Sequence, residues 1–187
     1  MKRESTPAEI TDTIMELCSG AVPGTVPVYA SVEAAGWSMM TNVRRMVREH
    51  GGQQVSGWAV WQWTNIVISL EAHAVWESPE RELVDITPHD CSEREILFLR
   101  DDSMVYSGKP IGSIRQLLTG LLLVAELIEM LNERDRIMCA SADRIYAIPK
   151  EMYLRIKQIQ EMLHREVERN APCPCQFELK YKKCCGR

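Results

Sequence analysis

The sequence has no hydrophobic run long enough to cross a membrane. Its most apolar stretch, residues 117–131, contains Glu126 and Glu129, whereas a transmembrane helix needs about 20 consecutive apolar residues. The first residues are charged, and no apolar segment typical of a secretory signal follows them. We therefore expect a cytoplasmic protein without a membrane span, and we interpret residues 117–131 as part of a buried helix.

Familiar motifs of ligand-binding and catalytic proteins are also absent. The sequence has no phosphate-binding loop, no EF-hand and no HExxH pattern. It has no internal repeat and no low-complexity tract. No motif therefore predicts nucleotide binding, calcium binding or metalloprotease chemistry.

Cysteine is sparse in most of the chain and dense in the last fifteen residues. Three isolated cysteines suit a reducing compartment; they are Cys18, Cys91 and Cys139. Near the C-terminus a C-x-C pair and a C-C pair are separated by eight residues, and their members are Cys173, Cys175, Cys184 and Cys185. Four thiolates in so short a loop predict one tetrahedral zinc ion, whose binding would supply about 10 kcal/mol of folding free energy. Two disulfides or four free thiols are the alternatives, although adjacent cysteines do not easily bridge to each other.

These cysteines lie in a segment that resembles the SEC-C motif, the zinc-binding tail of the SecA translocation ATPase and of many small bacterial proteins. Residues 170–175, Asn-Ala-Pro-Cys-Pro-Cys, match the beginning of the motif, and residues 180–186, Lys-Tyr-Lys-Lys-Cys-Cys-Gly, match its end. The family usually has Gly-Ser-Gly after the second cysteine, where this chain has Gln-Phe-Glu at 176–178. The resemblance implies a structural zinc ion and contact with a protein or ribosomal partner, as in the SecA tail.

Charge is distributed unevenly along the chain. Residues 171–187 carry four basic side chains and Glu178, which gives +3, so the other 170 residues carry −7 of the total of −4. This basic tip could contact phosphate or an acidic partner, whereas the acidic remainder argues against broad nucleic-acid binding. We predict that the partner-binding residues are Lys180, Tyr181, Lys182 and Lys183. A solvated lysine cluster that keeps the zinc module soluble is the alternative.

Hydrophobic periodicity predicts an α+β fold, with a small antiparallel sheet, N-terminal helices, a C-terminal helical hairpin and the zinc-binding tail. We expect an α+β core at 1–112, a hairpin packed on it at 113–170 and the zinc module at 171–187. The predicted strands are 53–63, 66–76, 82–87 and 95–100, with a further edge at 104–106. The predicted helices begin near Ser5, near Ser38 or Thr41, at Ile114 and at Pro149. The second of them is predicted to end at residues 50–52, where two glycines stop it, and residues 20–27 are predicted to form a loop. A coiled-coil dimer through the C-terminal helices remains open.

Histidine and aspartate are predicted to meet within the sheet. If residues 77–81 form a five-residue hairpin loop, His73 lies opposite Asp85. Segments around these residues, including residues 73–76 and 85–88, resemble uncharacterised bacterial and phage proteins that end in SEC-C. The order of a helix start, a histidine on one strand and an acidic residue on the next is also similar to a papain- or transglutaminase-like core. That resemblance implies a nucleophile near Ser38.

Two functions from different classes follow from these observations. We favour a binding protein, an adaptor or inhibitor that uses the basic tip, the sheet or both. A hydrolase or transferase using His73, Asp85 and Ser38 is the alternative. A structural His–Asp pair without catalytic function fits the first hypothesis.

Overall fold

The computed structural model describes residues 4–29, 39–89, 93–141 and 146–166. The chain divides into two compact units, Met1–Thr119 and Gly120–Arg187.

The first unit is an antiparallel sheet with two helices. Its elements, in chain order, are α1 (Asp12–Leu17), β1 (Gly24–Pro27), α2 (Met39–His50), β2 (Gln53–Trp63), β3 (Val67–Glu77), β4 (Leu83–Val84), β5 (Glu95–Arg100) and β6 (Ile114–Leu117). The strand order is β1-β5-β2-β3-β4, and β6 also pairs with β3. Since β2 occupies one edge of β3, strands β4 and β6 share the other edge. The predicted α+β class is confirmed.

The two ends of this sheet meet, so that it forms a nearly closed, barrel-like structure. Val28, just after β1, makes a parallel bridge with Asp85, just after β4. The N–H of Asp85 donates to the carbonyl of Pro27 at 2.9 Å, and the N–H of Tyr29 donates to the carbonyl of Asp85 at 2.8 Å. These bonds satisfy backbone groups that an open edge would expose.

Alternation along the strands gives the sheet two buried faces. The inner face holds one hydrophobic cluster, formed by Val26, Val55, Ala59, Trp61, Val75, Ile96 and Phe98. On the outer face, α1 packs through Ile14 and Cys18 against residues of β2, β3 and β5. Helix α2 packs through Met40 and Val43 against Ala74 and Ile86. Both faces of β3 are therefore covered by apolar side chains. Successive residues of β3 point alternately to the inner and the outer face of the sheet.

Two predictions for the first unit are wrong at the N-terminal side. The helix begins at Asp12 rather than near Ser5, because Thr11 is the N-cap and accepts a hydrogen bond from the N–H of Ile14. Ser5 instead forms an isolated bridge with Gln62. The predicted loop at 20–27 contains strand β1; its proline is tolerated because β1 lies at the end of the strand order.

Three further boundaries also differ from the predictions. The strand predicted at 82–87 is reduced to β4, which has two residues. No strand forms at 104–106. The helix predicted to begin at Ile114 begins at Leu122, since Ile114–Leu117 pairs with β3 as β6. An apolar spacing shared by a short strand and the following helix was thus interpreted as one helical period.

The second unit contains α3 (Leu122–Ala140) and α4 (Lys150–Glu166). Buried residues of α3 include Val124, Leu127, Ile128 and Leu131. On α4 the buried residues include Ile156, Ile159 and Leu163. The start of α3 is not buried, because Leu122 is 87% exposed. Over the described residues, neither helix is long and apolar enough to cross a membrane.

Candidate functional site

A buried cluster of two histidines and one aspartate lies on the inner face of the sheet in the first unit. His73 is in the middle of β3, is 4% exposed and stands opposite Gly57 of β2. Its ring packs edge-on against Phe98 of β5, with 6.4 Å between ring centroids. Since Gly57 has no side chain, the Phe98 ring occupies the space where a Cβ would lie, 2.8 Å from its nearest atom.

Asp85 is the centre of the cluster and is completely buried. The bonds of its backbone to Pro27 and Tyr29 fix its position between the two ends of the sheet. Its Oδ1 accepts the N–H of Thr87 at 2.9 Å, as in an Asx turn. One carboxylate oxygen is thereby held by the local turn, and the other oxygen, Oδ2, points to the histidines.

The two imidazoles converge on that second oxygen. Nε2 of His73 lies 2.9 Å from Oδ2 of Asp85, and Nε2 of His89 lies 2.7 Å from the same atom. Because a carboxylate only accepts hydrogen bonds, both rings donate to it when no metal is bound. The His89 ring also makes an edge-on contact with Trp61, with 5.1 Å between centroids. The cluster is therefore part of the packed interior.

Electrostatics favour the ionised form of the aspartate. Burial raises the pKa of Asp85, but the hydrogen bonds from His73, His89 and the N–H of Thr87 outweigh burial, so that the pKa lies well below its ordinary value. A buried carboxylate with three donors is stable as an anion. Chemically, the cluster could relay a proton or hold a divalent cation through one atom from each residue.

The predicted contact between His73 and Asp85 is present, but the predicted register is wrong. The structure pairs Trp76 with Val84 and Glu77 with Leu83, whereas a five-residue loop would pair Trp76 with Glu82. The register is shifted by two residues, which preserves the face of each side chain. Asp85 consequently meets His73 as a diagonal neighbour rather than a directly opposed one.

His89 was not predicted as a member of the site. The signal was present in the sequence, because His89 follows Asp85 by four residues and comes directly after Pro88. The alternation of side chains between two faces can be used only within a strand, and His89 belongs to the connection after β4. A histidine in a loop has no period that assigns it to a face.

The expected nucleophile cannot be placed. Ser38 lies outside the described residues. Helix α2 packs on the Ala74 side of β3, and His73, the preceding residue, faces the opposite side with Phe98. Cys18 lies in the core between α1 and the sheet, where burial raises the pKa of its thiol and makes it a poor nucleophile.

The residues of the predicted zinc site and basic tip also lie outside the described residues. The zinc ligands among them are Cys173, Cys175, Cys184 and Cys185, and the partner-binding residues are Lys180, Tyr181, Lys182 and Lys183. Their donor chemistry can still be assessed, because four thiolates within thirteen residues are the ligand set of a closed structural zinc site. The residues present therefore fit a zinc ion.

Comparison with known proteins characterises only the C-terminal segment. No curated protein and no solved structure matches the chain. The family model of the SEC-C motif matches residues 169–187. The chain therefore carries a SEC-C motif at its C-terminus, which indicates a zinc-binding tail.

Proposed function

We propose that this protein is a zinc-stabilised adaptor or inhibitor whose SEC-C tail binds a protein or ribosomal partner. The observation that carries the proposal is the SEC-C match at residues 169–187. A bound zinc ion would supply the folding free energy of a segment too short to bury a core of its own. The four cysteines would hold the ion, and the residues between the two pairs would be presented to the partner.

The charge of the tail supports a contact surface. Residues 171–187 carry a net +3, while the other 170 residues carry −7. A compact basic segment on an acidic protein favours an acidic partner surface or phosphate groups, and it accelerates association at low salt. Tyr181, between Lys180 and Lys182, adds an aromatic side chain of the kind that anchors protein interfaces.

The test uses charge reversal in the tail with a matched control on α4. Lys182→Glu with Lys183→Glu should weaken binding and reduce its salt dependence. Lys150→Glu with Lys157→Glu makes the same charge change at exposed positions of α4 and should have little effect. Binding is measured by co-sedimentation with ribosomes and by affinity capture from a bacterial lysate over a salt series. Equal binding by both variants at every salt concentration would place the contact elsewhere.

The role of zinc is tested by replacing two ligands. Cys184→Ser with Cys185→Ser should bind one equivalent of zinc fewer than the unmodified chain and should lose partner binding. Unfolding of the sheet should be unchanged, since residues of the first unit form its apolar clusters. An unchanged zinc content by elemental analysis would contradict the predicted ligand set.

The alternative function, a hydrolase or transferase using His73 and Asp85, has one observation in its favour, the 2.9 Å contact between them. A catalytic dyad would also need a nucleophile beside the second ring nitrogen. The ring of His73 packs against the rings of His89 and Phe98. Turnover that is abolished by His73→Ala while the fold survives would support this alternative over the adaptor.

A further inference from the structure

We propose that His73, Asp85 and His89 form a second metal site, independent of the SEC-C tail, for a divalent first-row transition-metal ion such as Zn²⁺. The three side chains each offer one donor atom, and these atoms all lie within 4.8 Å of one another. Two imidazoles and one carboxylate are a donor set suited to zinc, iron or cobalt. The inference concerns the first unit alone and does not depend on the function of the tail.

The distances suit this ion after a small adjustment. Two donors bound at about 2.1 Å to one tetrahedral ion lie about 3.4 Å apart. The Nε2 atoms of His73 and His89 now lie 2.9 and 2.7 Å from Oδ2 of Asp85. Opening these two contacts by little more than half an ångström would admit the ion. Such a movement is within the range of side-chain rotation.

The surroundings of Asp85 resemble those of a positioned ligand. The N–H of Thr87 occupies Oδ1 and leaves Oδ2 for the histidines, so the carboxylate is oriented for binding through one oxygen. Its backbone is tied to Pro27 and Tyr29 at the junction of the sheet ends.

The buried negative charge of Asp85 favours the binding of a cation. Asp85 is completely buried, and the side chain of His73 is only 5% exposed. Hydrogen bonds compensate a buried carboxylate only in part, whereas a coordinated divalent cation compensates its charge directly. An ion would replace the two hydrogen bonds with coordination bonds to the same three atoms.

The site would differ from the tail in coordination. Three protein ligands leave at least one position for water or a small ligand, whereas four cysteines close a tetrahedral site. The side chain of His89 is 13% exposed, more than either of the other two ligands. The fourth position would therefore be reached from the side of His89.

The experiment separates the two sites by their donors. In the full chain, the four cysteines of the tail are replaced by serine, and the stripped protein is titrated with Co²⁺ and Zn²⁺. We expect one equivalent of Co²⁺ to bind with ligand-field absorption but without thiolate-to-metal charge transfer. The unmodified chain should bind two equivalents and show the charge-transfer bands. If the serine variant is folded and binds no metal, the cluster is only a hydrogen-bonded structural feature and the proposal fails.

A histidine exchange and a measurement without substitution complete the test. In the serine variant, His89→Gln should weaken binding at least about 100-fold, and His50→Gln, an exposed position, should leave it unchanged. Because His89→Gln also removes the ring that packs against Trp61, the imidazole resonances of the serine variant are followed during zinc addition as well. Shifts of His73 and His89 support the site. Shifts confined to His50 and His164, or equal binding by both Gln variants, overturn it.

Discussion

Replacing Asp85 by asparagine is the sharpest test of how the inner face is held together. Asparagine keeps the shape of the side chain and an Oδ1 that can accept the N–H of Thr87. It removes the charge and turns an NH₂ group toward the two imidazoles, which now donate at 2.9 and 2.7 Å. Both imidazoles must change tautomer to accept the two N–H bonds of this group, and the hydrogen bonds that form are then neutral rather than charge-assisted.

The size of the effect follows from these contacts. Hydrogen bonds to a charged group contribute about 1.5–3 kcal/mol each, and breaking a buried charged pair costs about 3–5 kcal/mol. Since the neutral hydrogen bonds are about half as strong as the charge-assisted bonds that they replace, we expect Asp85→Asn to lower the free energy of unfolding by about 2–4 kcal/mol. The loss should appear without metal, because the hydrogen bonds are those of the metal-free protein.

The assay is urea unfolding of chelator-treated protein, followed by tryptophan fluorescence. Trp61 packs against His89 and should report on the cluster directly. Glu80→Gln removes one charge from an exposed position near the same hairpin, and it should change stability by no more than about 0.5 kcal/mol. If Asp85→Asn has as small an effect as this control, the carboxylate does not anchor the inner face and the reasoning is refuted.

Two further predictions concern one residue of each unit. Gly57→Ala would place a Cβ 2.1 Å from the carbonyl oxygen of Leu99 and 2.8 Å from the Phe98 ring, so thermal unfolding should show a loss of about 1–3 kcal/mol, and wild-type stability would contradict the close approach of β2 and β5. Glu126 accepts two hydrogen bonds from Arg155, at 2.7 and 3.0 Å, which lower its pKa. The pair should therefore add a small stabilisation above the ordinary glutamate pKa that fades as the pH falls. Stability curves of wild type and Glu126→Gln should converge in acid, and a constant difference would rule out the charge as its cause.

The sheet shows which sequence signals were sufficient. Strand β2 and strand β5 were predicted with the bounds that the structure gives them, because each is a β-rich run limited by turn residues. Helix α2 ends at His50 as predicted, since the glycines at 51 and 52 have positive φ and stop it. The residues next to these elements in the sequence determine where each element begins or ends.

The errors occur where tertiary contacts define an element. Strand β1 has proline at its end and is a strand because it pairs with β5. Strand β6 is apolar enough to extend the period of α3, and only its pairing with β3 separates the two. The same limit applies to the site. The period-two alternation of strand residues predicted Asp85 on the same face as His73, but it predicts no face for His89, which lies in a loop.

The geometry of the cluster distinguishes ligand convergence from a catalytic relay. In a relay the carboxylate binds one ring nitrogen of a histidine and the other nitrogen faces the nucleophile, so the groups form a chain. Here two histidines direct the same type of nitrogen, Nε2, to one oxygen of Asp85. The carboxylate of Asp85 therefore binds two histidines at once, whereas in a relay it binds one histidine at the end of the chain. A shared oxygen between two imidazoles is the arrangement expected when a single ion can replace two hydrogen bonds, and for this reason the metal hypothesis uses all three residues whereas the catalytic one leaves His89 without a role.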